Sequence, residues 1–273
     1  MLASRLEKTV PVALLLVGVL VGCGGATPSS LTLPDAARGI AVAPDFAGTL
    51  WETTGERPWR SQDGGLSWQP VSGHPGAVSV AFSQYGSEVV GPDGDQRGDY
   101  GGRRLANPRQ TPGTFISISS PYHRTNRFYA LDVFGRLWLS ADAGRHWARL
   151  RASGLPASAL AVAAVRGDVT RPDVVYVAAG DAGLWRSRDD GASFRQIADI
   201  PDAHAIALTT DDQRLVLVAG DRLYLSTDSG RTVLPVLDRR VDVVAYDPRN
   251  HRLAYATAGG TLLRSVDRGQ TWP

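Results

Sequence analysis

Short apolar segments recur along the chain and are separated by polar turns. One set covers residues 39–43, 77–82, 115–119, 159–165, 205–208 and 241–246. A second set follows after polar turns, at residues 128–132, 174–179, 215–219 and 253–258. Segments of this length, alternating or continuously apolar and bounded by Gly, Pro, Asp and Asn, are typical of β-strands. The periodicity of an amphipathic helix is absent, which argues against the α/β classes.

A third segment in each interval ends on a serine that opens the motif Ser-x-Asp-x-Gly-x-x-Trp. Residues 61–68, 140–147 and 265–272 match it in full, whereas 187–194 ends in Phe and 226–233 ends in Val. A degenerate sixth copy runs from Arg97 to Arg104. The motif aspartates are Asp63, Asp99, Asp142, Asp189, Asp228 and Asp267.

The residue types in the motif predict a tight turn between two strands. An Asp side chain accepts hydrogen bonds from backbone N–H groups ahead of it, and the Ser hydroxyl caps the same turn. The Gly allows a positive φ, and the closing aromatic residue begins the next strand with a large packing surface. A motif aspartate is also a conceivable metal ligand or acid. A structural role is favoured because five copies share the pattern and a reaction needs one site.

The motif spacing predicts the architecture. Successive first positions are 36, 43, 47, 39 and 39 residues apart, and a repeat of about 40 residues with four strands is typical of a propeller blade. We therefore expect an all-β, six-bladed β-propeller of four-stranded blades over residues 30–273, with the motif turns between strands three and four. The last copy ends at Pro273 without a fourth strand, and residues 30–34 resemble such a strand. We expect this N-terminal strand to close the last blade and cover its edge.

The motif is similar to the Asp-box, or bacterial neuraminidase, repeats of sialidases, sortilin-type receptors and photosystem assembly factors of the Ycf48 type. Five good copies and one poor copy cover nearly all of the chain after residue 30. The resemblance implies a β-propeller with the turn between strands three and four. It implies no single activity, because enzymes, receptors and scaffolds share the repeat.

The N-terminus has the pattern of a bacterial lipoprotein signal peptide, predicted over residues 1–22. Arg5 and Lys8 precede an apolar run at residues 12–21 that is short for a membrane span. The sequence Leu-Val-Gly-Cys at 20–23 resembles a lipobox, which makes Cys23 the predicted lipidation site. Cys23 is the only cysteine, so no internal disulfide can form. Residues 23–29 are then the lipidated residue and a flexible tether, and the protein is expected on the extracytoplasmic side of a membrane.

Charge argues against nucleic acid as a partner. Without Arg5, Lys8 and Glu7, the 29 basic and 27 acidic residues leave a net charge of +1 for residues 23–273, and no basic cluster marks a polybasic surface. The five histidines lie in separate repeats without paired spacing, so neither a metal site nor a cofactor is predicted. Asp93-Gly94-Asp95 resembles a fragment of a calcium loop but lacks the closing Glu.

Candidate binding residues lie in the loops expected on the propeller face opposite the motif turns. In such a fold the loops between strands two and three share this face with the loops that lead to the next blade. The predicted binding face comprises Arg38, Arg57, His74, Asp132, Arg136, Asp181, His204, Asp221, Arg222, Arg239 and Arg240. Glu56, Asp93, Asp95 and Asp202 occupy the same loops. For each residue, ordinary turn chemistry on a solvated rim is the alternative.

Two functions remain in competition. The preferred one is a lipid-anchored, non-catalytic propeller that binds an envelope or secreted protein as an assembly or adaptor module, and an exposed Trp51 or Phe134 would favour it. The alternative is a glycan-binding or sialidase-like propeller. The resemblance to sialidases implies a Tyr nucleophile with a nearby Glu and three arginines, for which Glu56 and Tyr246 are the pair to test. The family's Arg-Ile-Pro motif is missing before the first copy, where the chain reads Arg57-Pro58-Trp59-Arg60.

Overall fold

The computed structural model describes residues 31–273 apart from 45, 47, 73–75, 84–85, 92–93, 99–109, 122–125, 166–171 and 210–214. The predicted signal peptide, Cys23 and the tether lie outside the described residues, as do His74, Asp93 and Asp99. All regular elements of the described part are β-strands. No helix in this part is long and apolar enough to cross a membrane.

The strands form six antiparallel sheets, numbered here in chain order. Sheet 1 contains β2 (Gly39–Val42), β3 (Leu50–Thr53), β4 (Pro58–Ser61) and β5 (Gln69–Pro70). Sheet 2 contains β6 (Ser79–Ser83), β7 (Gly86–Gly91) and β8 (Gly94–Gly98). Sheet 3 contains β9 (Phe115–Ser119), β10 (Phe128–Asp132), β11 (Leu137–Ser140) and β12 (Ala148–Arg149).

The second half of the chain repeats this order. Sheet 4 contains β13 (Ala161–Val165), β14 (Val174–Ala178), β15 (Leu184–Ser187) and β16 (Arg195–Ala198). Sheet 5 contains β17 (Ala205–Leu208), β18 (Val216–Ala219), β19 (Leu223–Ser226) and β20 (Leu234–Leu237). Sheet 6 contains β21 (Val243–Tyr246), β22 (Ala254–Ala258), β23 (Thr261–Ser265) and the N-terminal β1 (Leu31–Thr32).

The first strands of the sheets stand around a common centre. β2, β6, β9, β13, β17 and β21 each contact the next in the series, and β21 returns to β2. Serines link neighbouring first strands, because Ser117 and Ser119 accept hydrogen bonds from Val162 N at 3.0 Å and Ala164 N at 2.9 Å. The protein is therefore an all-β propeller. Five of its sheets are four-stranded blades, not the six that the repeat count predicted, because sheet 2 has three strands in the described residues.

The predicted N-terminal closure is confirmed. β1 pairs antiparallel with β23, with Leu31 opposite Leu262 and Thr32 opposite Thr261. Leu31 packs beside the buried cluster between sheets 6 and 1, which includes Leu50, Tyr255 and Leu262. Strands from the two ends of the described chain thus share one sheet, and the outer edge of β23 is covered.

The core lies between the faces of adjacent sheets. Trp51 is fully buried and meets Phe82 of sheet 2 edge to face, with the ring centroids 6.1 Å apart. Between sheets 2 and 3, Phe115 contacts Trp147 with a centroid separation of 4.8 Å. Aromatic and branched side chains on both faces of the middle strands explain why β10 and β14 read as nearly continuous apolar runs.

The serine and aspartate of each motif organise a turn after the third strand. In sheet 1, Ser61 Oγ donates to Asp63 Oδ1 at 2.8 Å and accepts from Gly65 N at 2.8 Å. Asp63 Oδ1 also accepts from Ser67 N at 2.9 Å. The same serine bonds recur at Ser140, Ser187, Ser226 and Ser265.

Candidate functional site

The propeller has two chemically different ends. One end, called the motif face, carries the motif turns and the turns between the first and second strands of each sheet. The opposite end, called the loop face, carries the loops between the second and third strands and the connections to the next sheet. All predicted binding residues that the structure describes lie in loop-face segments or at their borders.

Motif aspartates serve the turns that contain them. Hydrogen bonds from the side chain and backbone of Ser67, and from Ser61, hold the pKa of Asp63 at about 2. The pKa of Asp189 is also below its usual value, because hydrogen bonds from Ser187 and Ser193 outweigh the opposing effect of burial. These carboxylates are ionised and fully engaged as acceptors, which fits a structural role.

One group of predicted residues comes together between sheets 4, 5 and 6. Asp181 Oδ1 accepts from Asp202 N at 3.2 Å, and the Asp202 carboxylate forms an ion pair with Arg240. His204 lies with Nδ1 2.6 Å from Asp202 O and Nε2 2.8 Å from Val241 O. The cluster ties three loop-face connections to one another, and Arg240 neutralises the Asp202 carboxylate.

A second group is local to sheet 5. Arg222 Nε lies 3.7 Å from Asp221 Oδ2 and 3.3 Å from Asp238 Oδ1. Tyr224 donates from its hydroxyl to Asp221 Oδ1 at 2.8 Å. The neighbouring Arg239 is exposed. These side chains form a solvated rim.

The residues predicted from sheet 1 remain apart from both groups. Arg38, Glu56 and Arg57 are exposed, and the Arg57 guanidinium lies 5.8 Å from the ring centroid of Trp59. The structure does not bring Glu56 and Tyr246 together. Tyr246 ends β21 at the motif face, where its buried hydroxyl donates to Arg268 O at 3.0 Å, while Glu56 lies in a loop at the other end.

The central channel is lined mainly by apolar side chains. A cavity of about 390 Å³ runs between the first strands of all six sheets. Asp242 is the one carboxylate among its described lining residues, and it accepts from Gly259 N at 3.1 Å. Glycoside hydrolysis usually needs two carboxyl groups. In the described part of the chain, no three His, Cys, Asp or Glu residues are grouped so as to hold a metal ion.

The loop between β10 and β11 presents an aromatic and basic surface. Asp132 is fully buried and accepts hydrogen bonds from Arg136 Nε at 2.6 Å, Trp138 Nε1 at 2.9 Å and Phe134 N at 2.9 Å. Burial raises the pKa of Asp132, but bonds from Trp138, Arg136 and Phe134 outweigh it and leave the pKa below its usual value. Asp132 therefore fixes the loop as a charged acceptor.

Phe134 stands out of this loop into solvent. Its side chain is 67% exposed, and the Arg136 guanidinium lies 4.6 Å from its ring centroid. Gly135 has φ 69°, and a Cβ there would lie 2.4 Å from Ala157 O of the next connection. This close approach holds the two loop-face segments side by side, which requires glycine.

A groove opens between these two segments. It has a volume of about 780 Å³, and its lining includes Phe134, Arg136, Arg149, Arg151 and Leu155. Arg149 and Arg151 are exposed. The sequence-based selection included Arg136 and considered Phe134, but it missed Arg149 and Arg151. These two arginines could have been found from the sequence. They are two residues apart in the segment that follows the motif at 140–147, and alternate residues of a strand share one face.

No model of a known protein family matches the chain. A curated protein titled Xyloglucanase, from Paenibacillus sp, is 28% identical over 237 residues, which cover 76% of this chain and 22% of that protein. The chain thus spans about a fifth of the length of this relative.

Solved structures share the fold. An ancestral GH74 enzyme has a TM-score of 0.58 at 16% identity, with coverage of 85% of this chain and 36% of that one. YCF48 bound to D1 peptide has a TM-score of 0.54 at 18% identity, with coverage of 89% and 84%. The chain is a propeller like those of GH74 enzymes and of Ycf48, and these likenesses show the fold alone.

Proposed function

We propose that the chain is a non-catalytic binding propeller, held on the extracytoplasmic side of a bacterial membrane by a lipid on Cys23. Its partner is an envelope or secreted protein. The observation that carries the proposal is the loop-face groove of sheet 3, with the exposed Phe134 beside Arg136 at its rim. We further infer that the motif turns are Asp boxes.

An exposed aromatic ring beside arginines suits a protein partner. Phe134 is 67% exposed, and Val133 and Leu160 of the same face are 51% and 41% exposed. Aromatic residues and Arg are enriched at the energetic centres of protein interfaces, and exposed apolar patches mark contact surfaces. Arg136 stacked on Phe134 is already ordered by Asp132, so less entropy is lost when a partner orders the rim. The exposed Arg149 and Arg151 favour an acidic or carboxylate-bearing segment.

The state of the carboxylates supports binding over hydrolysis. Asp132 is saturated by hydrogen bonds, and the described lining of the central channel offers Asp242 alone. Glu56 and Tyr246 lie at opposite ends of the propeller. The solved structure of YCF48 with a D1 peptide adds that a propeller of similar fold takes a peptide ligand.

Site-specific crosslinking in the native membrane tests the proposal. A photoreactive phenylalanine replaces Phe134 in one variant and Leu66, which is 71% exposed on the motif face, in a matched variant. We expect one stoichiometric protein adduct from position 134 and none from position 66. The adduct should be lost with Arg149→Glu/Arg151→Glu. It should be kept with Arg145→Glu/Arg252→Glu, which changes the net charge equally at exposed positions of the motif face. Equal adducts from both positions would contradict the proposal.

The alternative is a glycan-binding propeller, and the similarity to the curated xyloglucanase favours it. The soluble form would then bind xyloglucan oligosaccharides by calorimetry, and a reducing-sugar assay would report any hydrolysis. Oligosaccharide binding that is lost with Phe134→Ser, without a protein adduct at position 134, would replace the protein partner by a glycan. Turnover lost with Glu56→Gln would make the chain a hydrolase.

A further inference from the structure

Four arginines gather at the motif face where sheet 4 meets sheet 5. Arg186 ends the third strand of sheet 4 next to Ser187, Arg188 lies in the following turn, and Arg195 begins the outer strand. Arg231 belongs to the motif turn of sheet 5, whose Ser229 O accepts from Arg186 Nη1 at 2.5 Å. Three of the four arginines line a cavity of about 400 Å³, whose lining comprises Arg186, Arg188, Asp189, Ser193, Phe194 and Arg195. The charge of Arg231 acts on Arg188 from the neighbouring turn.

The positive charge of the cluster is compensated only in part in the described residues, because Asp189 is the one carboxylate among the residues that line the cavity. The exposed Arg188, Arg195 and Arg231 form no ion pair in the described part of the chain, and Asp189 is held as acceptor by Ser187 and Ser193 at 2.6 and 2.5 Å. The pKa of Arg188 lies below its usual value, first because of the charge of Arg186, then because of burial, with Arg231 and Arg195 adding to the effect. Mutual repulsion of this kind is relieved when an anion enters.

Arg186 supplies a second, independent indication. Its residue exposure is 8%, and its Nε is buried without a hydrogen-bond partner among the described residues. A buried charged donor without an acceptor costs free energy, and such groups in folded proteins usually have a partner, a water or an ion. An oxyanion in the adjoining cavity would supply the missing acceptor.

The motif turn of sheet 4 does not require Arg188 and Arg195. The residue after the motif serine and the residue at the start of the outer strand are Arg188 and Arg195 in sheet 4. The equivalent pairs elsewhere are Gln62 and Gln69 in sheet 1, Ala141 and Ala148 in sheet 3, and Thr227 and Leu234 in sheet 5. The same turn therefore forms with neutral residues, so the charge concentration in sheet 4 calls for a role other than the turn.

We propose that Arg186, Arg188, Arg195 and Arg231 form a binding site for a phosphate monoester dianion, separate from the loop-face groove. Arginine forks match tetrahedral oxyanions by paired hydrogen bonds. A dianion neutralises two of the repelling charges where a carboxylate neutralises one. The anion comes either from a soluble phosphate compound or from the phosphate headgroup of a lipid.

The test uses the soluble chain from residue 24 onwards with inorganic phosphate as the first probe. Calorimetry at constant ionic strength should show saturable phosphate binding at one site, with chloride as the reference salt. Arg188→Gln/Arg195→Gln gives sheet 4 the residues of sheet 1 and should weaken phosphate binding at least about tenfold, since charge-assisted hydrogen bonds are lost. Arg145→Gln/Arg252→Gln removes the same charge at exposed positions outside both proposed sites and should bind as the parent does. A thermal melt of each variant shows that it is folded.

The second probe distinguishes the source of the phosphate. Vesicles with phosphatidic acid in phosphatidylcholine are compared with pure phosphatidylcholine by co-sedimentation. Retention on phosphatidic acid that is lost in Arg188→Gln/Arg195→Gln supports the site with a lipid headgroup as ligand. Phosphate binding without retention supports it with a soluble phosphate compound. If the parent binds neither probe, or the two double variants lose binding equally, the proposed site does not exist.

Discussion

Glu52 should make the stability of the propeller fall as the pH rises through neutrality. It lies in β3 of sheet 1, is fully buried, and neither carboxylate oxygen has a hydrogen-bond partner among the described residues. Burial, with a smaller contribution from the charge of Asp35, raises its pKa from 4.5 to about 8. The folded protein therefore holds a neutral Glu52 at a pH where the unfolded chain has an ionised one.

The sign and size of the effect follow from proton linkage. Because the folded state binds the proton more tightly, unfolding releases it between pH 4.5 and about 8, and stability falls across that window. The slope is about 1.4 kcal/mol per pH unit, so the loss from pH 5 to pH 7.5 is about 3 kcal/mol. For a domain of this size that corresponds to a fall in Tm of about 10 °C.

Thermal melts of the soluble form and of Glu52→Gln at a series of pH values measure the effect. Gln keeps the shape of the side chain but cannot ionise, so the difference in Tm between the two proteins should grow from pH 5 to pH 7.5 in favour of the variant. Glu56→Gln, the same change on an exposed loop, should follow the parent. A parallel pH dependence in the parent and in Glu52→Gln would refute the reasoning.

Three further predictions test the turns, the closure and the anchor. Ser61→Ala leaves Gly65 N without its acceptor in a buried turn and should lower the free energy of unfolding by about 1–3 kcal/mol. Ser67→Ala in the exposed part of that turn should lower it less, and equal losses in urea titrations would contradict this. Deletion of residues 24–34 removes β1 and should lower Tm, because the edge of β23 and the apolar surface around Leu262 are uncovered; an unchanged Tm would exclude a closing role. Cys23→Ala should move the protein from the membrane to the soluble fraction after centrifugation, and continued sedimentation with membranes would exclude the anchor.

The repeat in the sequence accounts for most of the fold because one motif controls one turn. Ser61 and Asp63 act within a few residues of each other, so their hydrogen bonds could be predicted from spacing alone. The closure by β1 was predictable because residues 30–34 resemble the fourth-strand segment at residues 194–203. The number of four-stranded blades was not predictable. The degenerate copy that begins at Arg97 lacks the motif serine, and the spacing of its glycine does not show whether a fourth strand pairs in that sheet.

The candidate site was harder to predict because it depends on contacts between repeats. The sequence alone did not show which of Phe134 and Trp51 is exposed. Trp51 is buried because sheet 2 packs against sheet 1 and places Phe82 on its ring, whereas Phe134 is exposed. The position of Tyr246 at the motif face could have been predicted from the topology. The first strand of each sheet runs from the loop face to the motif face, and Tyr246 is the last residue of β21. The arginine cluster joins sheets 4 and 5, and the burial of Arg186 beside Ser229 has no local sequence signal.

The direction of β1 also determines how an anchored propeller stands on its membrane. β23 ends at the motif turn of sheet 6, and β1 is antiparallel to it, so the chain enters β1 from the motif face. A tether of residues 24–30 spans at most about 25 Å. With Cys23 lipidated, we expect the motif face and its arginine cluster toward the bilayer and the groove at Phe134 toward the surroundings. Cys23 is the only cysteine, so thiol-directed fluorophores can be placed in Leu66→Cys and Phe134→Cys, at positions 71% and 67% exposed. Lipid-borne quenchers should quench the fluorophore at position 66 more strongly, and stronger quenching at position 134 would show the opposite orientation.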